Sequence, residues 1–381
     1  MDIIVKYIDE LLEKSTPEAP MWNIEKIRQG LKSNWNYIDG VMIKAVLQMY
    51  DVTKDEKYLK FADNFIDYRV HEDGTIDGYN IGEKNIDNVN AGKTLFELYD
   101  LTGKEKYKKA VDLVYSQIEI MPRCQNEARS FWHKDIYPNQ VWLDGLYMGL
   151  PFYLEYETRY NDRKNYSDIF GQFKFVIENM RNPINGLYFH AMDTSREAFW
   201  CDKVTGLSQH SWLRAIGWYT MALIDTLDQV DNKDHKYDAE CKMLEDAFKD
   251  LVDSMLKYQD ESGMWYQVVN YGGMDKNYLE TSGSSIMAYA LLKAIRLGYL
   301  SDDYAQYAKK AIDGICERYL KTKEDGSLSL GGICLVAGLG GNGRRSGTYD
   351  YYMSEPIVED DAKGVGPFLL AYTELLRYEN K

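Results

Sequence analysis

A recurring pair of unlike helices limits what this chain can fold into more than any other feature. An apolar segment that opens near a glycine leads into a polar turn and then an amphipathic segment with an early tyrosine. Gly40-Val41-Met42-Ile43-Lys44-Ala45-Val46-Leu47 precedes Lys57-Tyr58-Leu59-Lys60-Phe61-Ala62, and Ala91-Gly92-Lys93-Thr94-Leu95-Phe96 precedes Lys106-Tyr107-Lys108-Lys109-Ala110-Val111. Further units run from Gly145 with Tyr166, from Gly217 with Tyr237, and from Gly283 with Tyr304 and Tyr307. A last half-unit, Gly364-Val365-Gly366-Pro367-Phe368-Leu369-Leu370-Ala371, has no partner after it, and the segment around Ile3 to Leu12 has none before it. The two ends can complete each other.

The two helix types differ physically. Phe61, Phe65 and Ile66, with Lys60 and Asp63 between them, form one apolar stripe on a polar helix, the pattern of a surface element. Trp218-Tyr219-Thr220-Met221-Ala222-Leu223-Ile224 is apolar all round and must be buried on every side. A glycine inside a helix costs roughly 1 kcal/mol, so its recurrence at the apolar helix starts predicts inner helices that crowd together at one end. Twelve alternating helices describe an all-α closed double ring, an (α/α)6 barrel, formed as a single domain over residues 1–381. The irregular spacing and the apolar inner helices argue against an open tetratricopeptide-type array.

Strand-like connectors at Asp77-Gly78-Tyr79, Asn185-Gly186-Leu187-Tyr188-Phe189-His190 and Ser262-Gly263-Met264-Trp265-Tyr266 return the chain to the end where the next inner helix begins. That end collects loops, aromatics and positive helix N-termini, a setting suited to an anionic group. The net charge of −15 argues against nucleic acid and anionic membranes as partners. No apolar run is long enough to span a bilayer. The charged opening, Met1 to Glu10, does not resemble a signal peptide. Cys124, Cys201, Cys241, Cys316 and Cys334 are scattered without metal-ligand spacing. A reducing cytoplasmic location with no metal and no cofactor is the expectation. The sequence assigns no oligomeric state.

Positions at or just before the inner-helix starts form a consistent polar set. The second inner helix opens with Asp87-Asn88; His133 and Trp142 precede the third, which carries Asp144 at its start. Asp144 is the ionisable residue heading the otherwise apolar run Val141 to Phe152, and a bare buried carboxylate must be paired, hydrated or used. His190 precedes the fourth, whose first turns hold His210, Trp212, Arg214 and Trp218. An arginine inside an apolar helix needs an anion, either internal or a substrate carboxylate that it matches bidentately, and the second is favoured here. His71 and His235 lie in polar turns and read as surface residues.

Three other motifs carry less. Gly338-Leu339-Gly340-Gly341-Asn342-Gly343 fits the dinucleotide pattern, but no βαβ unit surrounds it. It reads better as a lid bringing Arg344 and Arg345 to the pocket mouth. Glu359-Asp360-Asp361 lacks calcium-loop spacing and reads as the cap of the last inner helix. Gly283-Ser284-Ser285 reads as a small-residue packing site rather than a nucleophile elbow.

Three separated runs carry a family resemblance: Trp142 to Gly149, Ser211 to Tyr219, and Gly347-Thr348-Tyr349-Asp350-Tyr351-Tyr352-Met353-Ser354-Glu355-Pro356. Together they resemble glycoside hydrolase family 105, the unsaturated rhamnogalacturonyl hydrolases, related to the unsaturated glucuronyl hydrolases of family 88. The resemblance runs from about Trp35 to the last helix. It implies an (α/α)6 barrel acting in the cytoplasm on unsaturated uronyl disaccharides left by pectin lyases, without metal. Carried over by position, it makes Asp144 the catalytic acid and Asp87 the second active-site aspartate. His133, Trp142, His190, Arg214 and Trp218 surround the uronide, with Arg344 a further candidate on the lid. The expected reaction is release of 4,5-unsaturated galacturonate by hydration of its enol ether. The alternative is the same chemistry on unsaturated glucuronyl disaccharides from glycosaminoglycans. An ordinary inverting hydrolase, a sugar epimerase and a non-catalytic helical scaffold are the more distant readings.

Overall fold

The computed structural model describes residues 3–341 and 344–380. Its helices in chain order are α1 (Ile3–Glu13), α2 (Ile24–Gln29), α3 (Tyr37–Thr53), α4 (Glu56–Asp67), α5 (Lys93–Thr102), α6 (Glu105–Ile120) and α7 (Leu143–Tyr160), followed by α8 (Tyr166–Asn179), α9 (Leu213–Gln229), α10 (Asp238–Leu256), α11 (Thr281–Arg296), α12 (Ala305–Tyr319), α13 (Tyr349–Ser354) and α14 (Ala362–Glu379). A 3-10 segment, Ile86–Gly92, runs straight into α5. The short strands pair antiparallel as β1 (Gln140–Trp142) with β2 (Ala191–Asp193), β3 (Leu320–Thr322) with β4 (Leu328–Leu330), and β5 (Ile333–Cys334) with β6 (Ile357–Val358).

The inner helices α3, α5, α7, α9, α11 and α14 close a ring. Each packs on the next, α5 chiefly through its 3-10 start, and α14 returns to α3. The outer helices α4, α6, α8, α10 and α12 each pack back on the inner helix before them. The twelfth place falls to α1: Lys57 and Tyr58 of α4 bond Asp9, and the Tyr7 hydroxyl donates to Asp360 just ahead of α14, at 2.8 Å. The molecule is the (α/α)6 barrel expected from the alternation. No described helix is long and apolar enough to cross a membrane.

Glycine allows the crowding at one end. A Cβ on Gly40 of α3 would lie 2.5 Å from the Ala91 Cα, and one on Gly283 of α11 would lie 2.3 Å from the Leu213 side chain on α9. Neighbouring inner helices therefore touch backbone to backbone at their N-terminal ends. The connector strands lie slightly away from their expected places. Asn185-Gly186 is a turn, with Gly186 at φ +76°, and the paired strand begins only at Ala191. Its partner, Gln140–Trp142, immediately precedes α7.

The dinucleotide-like segment contains no binding unit. Strand β5 pairs with β6, and the helix after the loop, α13, has only 6 residues. Asn342 and Gly343 of that motif lie outside the described residues. Asp361 caps α14 by accepting from the Lys363 amide at 2.9 Å, and Asp360 serves Tyr7 and the Leu330 amide.

Candidate active site

A backbone ladder across three hairpins assembles the polar residues. The Ile86 amide donates to the His133 carbonyl at 3.1 Å, and the His133 amide to the Gln140 carbonyl at 2.9 Å. The Leu143 amide donates to the His190 carbonyl at 3.1 Å, and the His190 amide to the His210 carbonyl at 3.2 Å. Asp87, His133, Trp142, Asp144 and His190, up to 103 positions apart in sequence, are thereby drawn to one end of the barrel. A cavity of ≈ 250 Å³ opens there, lined by Asp87, His133, Lys134, Trp142 and Asp144 together with Glu25, Tyr37 and Arg345.

Asp144 sits in the first turn of α7 with its side chain 14% exposed. Its Oδ2 has no hydrogen-bond partner, and His190 Nε2 faces it at 3.3 Å without hydrogen-bond alignment. The other ring nitrogen of His190 meets the Tyr352 hydroxyl at 2.7 Å, which fixes the imidazole in place. Asp144 therefore leaves a carboxyl oxygen unbonded at the cavity and does not cap its helix.

Asp87 is built differently. Lys134 Nζ lies 2.8 Å from its Oδ2, and His133 Nε2 lies 3.4 Å from its Oδ1. Burial opposes its charge, but Lys134 and then His133 outweigh that and hold the carboxyl below the usual aspartate range. Burial likewise works against the Lys134 ammonium, and Asp87 reverses the balance so that its pKa rises. His133 is pushed down to about 4, first by burial and despite the pull of Asp87, so it is a neutral imidazole at physiological pH. Its ring stacks on Trp142 at 4.4 Å and 6°. A Cβ on Gly145 would come within 3.1 Å of His133 Nδ1, so the glycine after Asp144 makes room for this ring.

Other expected site residues lie elsewhere. Trp218 is 1% exposed, with its ring stacked on Tyr147 at 5.0 Å and 10°. Arg214 is buried behind the cavity, where it donates to the Cys334 carbonyl at 2.6 Å and to Ser282 Oγ at 3.3 Å. Ser282 in turn donates to Glu280, a fully buried carboxylate at the start of α11. The anion near Arg214 is thus internal, where the sequence reading favoured a substrate carboxylate. Arg344 is exposed, and its neighbour Arg345 lines the cavity instead. Among the described residues no carboxylate pairs with Arg345. A Cβ on Gly338 would meet its Nη1 at 2.9 Å and the Trp142 ring at 3.4 Å, so a glycine holds open its place beside the indole.

Lys134, Tyr352, Tyr37 and Glu25 were not singled out in the sequence. Lys134 follows His133 directly, and Tyr352 lies in the run of tyrosines after Gly347, so both had a local signal. Tyr37 opens inner helix α3 and so stood at a position of the kind already read, whereas Glu25 lies on the short α2, tied to Lys363 at 3.0 Å, and carries no period to reveal it.

The sequence model described as Glycosyl Hydrolase Family 88 matches residues 8–379. A solved structure from C. acetobutylicum, described as a glycoside hydrolase from family 105, is 42% identical; the match covers 98% of this chain and 100% of that one with a TM-score of 0.87. Protein Atu3128 of Agrobacterium fabrum is 40% identical over 235 residues, 60% of this chain and 98% of that protein. The unsaturated rhamnogalacturonyl hydrolase YesR of Bacillus subtilis is 26% identical over 302 residues, 77% of this chain and 78% of its own.

Proposed function

The chain belongs to glycosyl hydrolase family 88 and is a glycoside hydrolase of the family 105 kind, and from that premise we propose that it releases 4,5-unsaturated galacturonate from unsaturated rhamnogalacturonan disaccharides. The observation that carries the reading is Asp144: a carboxyl with an unbonded oxygen in a polar cavity that also holds an aspartate already paired with a lysine.

A 4,5-unsaturated uronide is an enol ether. In this proposal Asp144 gives its proton to C4, leaving an oxocarbenium-like centre at C5. Water adds at C5 and returns a proton to Asp144. The new hemiketal opens as its C5 hydroxyl becomes a ketone and the ring oxygen departs. This leaves a hemiacetal at C1, whose collapse to the aldehyde releases the rhamnose. No carboxylate attacks the anomeric carbon, so the paired-carboxylate spacing of an ordinary glycosidase is not required. Asp87, kept ionised by Lys134, orients the water. His133 holds a ring hydroxyl, the buried His190 frames the acid, and Trp142, its ring stacked on His133 and Tyr137, forms part of the cavity wall. Arg345, which lines the cavity and among the described residues is paired with no carboxylate, takes the uronate carboxylate. The free cysteines are in keeping with a cytoplasmic location.

The test is turnover of unsaturated galacturonyl-rhamnose beside its glucuronyl counterpart, followed by loss of the alkene's ultraviolet absorbance. The galacturonyl compound should be the better substrate. Asp144→Asn should lose about 10²–10⁴-fold in kcat while still binding the disaccharide. An active Asp144→Asn enzyme overturns the assignment of the acid, and preference for the glucuronyl compound overturns the substrate.

A further inference from the structure

Helix α7, which carries Asp144, contains a proline in its interior at Pro151. Proline has no amide hydrogen, so the carbonyl four residues earlier, that of Tyr147, loses its helical donor. A buried carbonyl left without a donor is destabilising, and Tyr147 is buried. The missing donor comes from another hairpin. Lys93 Nζ donates to the Tyr147 carbonyl at 2.6 Å and lies 3.4 Å from the centre of the Tyr147 ring.

Lys93 faces a small polar cavity that Asp225, Asp228 and Lys293 also line, but it pairs with neither aspartate. It is buried in the first turn of α5, and among the described residues no carboxylate is within ion-pair reach of it. The neighbouring Lys44 is paired with Glu97, and Lys293 with Asp225 and Asp228. Burial, with these two cations, pushes the Lys93 amine well below the usual lysine range against the pull of Asp225 and Glu155. A lysine buried without a counter-ion is destabilising unless its hydrogen bond is needed.

The location of that bond gives it meaning. Tyr147 lies one helical turn after Asp144, and the next residue, Met148, lines the cavity. Lys93 directly follows the 3-10 segment that carries Asp87. The bond therefore ties the element bearing one active-site aspartate to the element bearing the other. We propose that Lys93 is a positioning residue, replacing the amide that Pro151 withdraws and thereby fixing Asp144 relative to Asp87. The inference rests on the reading of Asp144 as the proton donor.

Wild type, Lys93→Met, Pro151→Ala and the double variant are compared for turnover of unsaturated galacturonyl-rhamnose. Lys93→Met should lose about 10- to 100-fold in kcat with little change in KM, as expected for a displaced acid. In the Pro151→Ala background the amide of residue 151 can bond the Tyr147 carbonyl again, and the same lysine change should cost less than about 3-fold. Undiminished kcat in Lys93→Met, or equal losses in both backgrounds, overturns the proposal. Should Lys93→Met not fold, the double variant must fold, and its failure where Pro151→Ala folds overturns the proposal as well. A wild type that turns over no unsaturated disaccharide removes the functional reading instead. The coupling is then read in thermal unfolding, where an equal fall in Tm in both backgrounds overturns it.

Discussion

Asp87 keeps its charge in a buried site chiefly because Lys134 stands 2.8 Å away. The sign of its pH dependence follows. Its folded pKa lies below the usual aspartate value, so the stabilisation is present above that value and lost as pH falls through the lowered one. Without the lysine, burial becomes the larger effect, and the carboxyl takes up a proton at higher pH. Lys134→Met should therefore move the acid limb of the kcat profile upward by about one pH unit or more. An unmoved acid limb would show that the Asp87 charge does not matter to turnover. At this scale the sequence was only partly informative. Asp87, His133, Trp142, Asp144 and His190 could be read because each lies at or just ahead of an inner-helix start. Arg214 and Trp218 fit the same rule, yet α9 is buried all round and they face inward. Arg344 and Arg345 are consecutive in a loop, and which one enters the cavity depends on the space at Gly338, a three-dimensional fact.

The glycines matter most for how the helical elements pack. A Cβ on Gly40 would run into backbone atoms of Ala91, which cannot rotate aside. Gly40→Val should destabilise by about 1–3 kcal/mol despite its better helix propensity, because overpacking against backbone outweighs it. Gly171, in outer helix α8, has nothing within 4 Å of its would-be Cβ, so Gly171→Ala should raise stability by up to about 1 kcal/mol. Chemical denaturation of the two variants checks both directions, and a stabilising Gly40→Val would refute the close-packed ring. The inner and outer helices were legible because their apolar patterns are long and different in kind. Helices α2 and α13, each of 6 residues, were not, since so short a segment carries no period and is held by tertiary contacts. The same holds for Asp87, which lies on a 3-10 turn rather than the α-helix expected there. Glycine at 92, where a Cβ would meet Phe152 and Val114 at 2.9 Å, explains the close approach but not the tighter winding.

At the scale of the whole molecule, ring closure turns scattered residues into one cavity. The expectation that the first helix completes the last half-unit followed from counting unpartnered helices, and Asp9 and Tyr7 of α1 form the joint. The closed ring also reconciles a net charge of −15 with an anionic substrate. Glu25, Asp87 and Asp144 line the same cavity as Lys134 and Arg345, so the attraction for an anion is local to those two cations and the N-termini of the inner helices. In the proposed reaction catalysis begins with proton delivery to an alkene carbon, not with attack on the anomeric bond. Turnover in heavy water, followed by NMR of the released keto-uronate, tests it most directly. Deuterium at C4 is the predicted result; a C4 without label, with the double bond consumed, would contradict it.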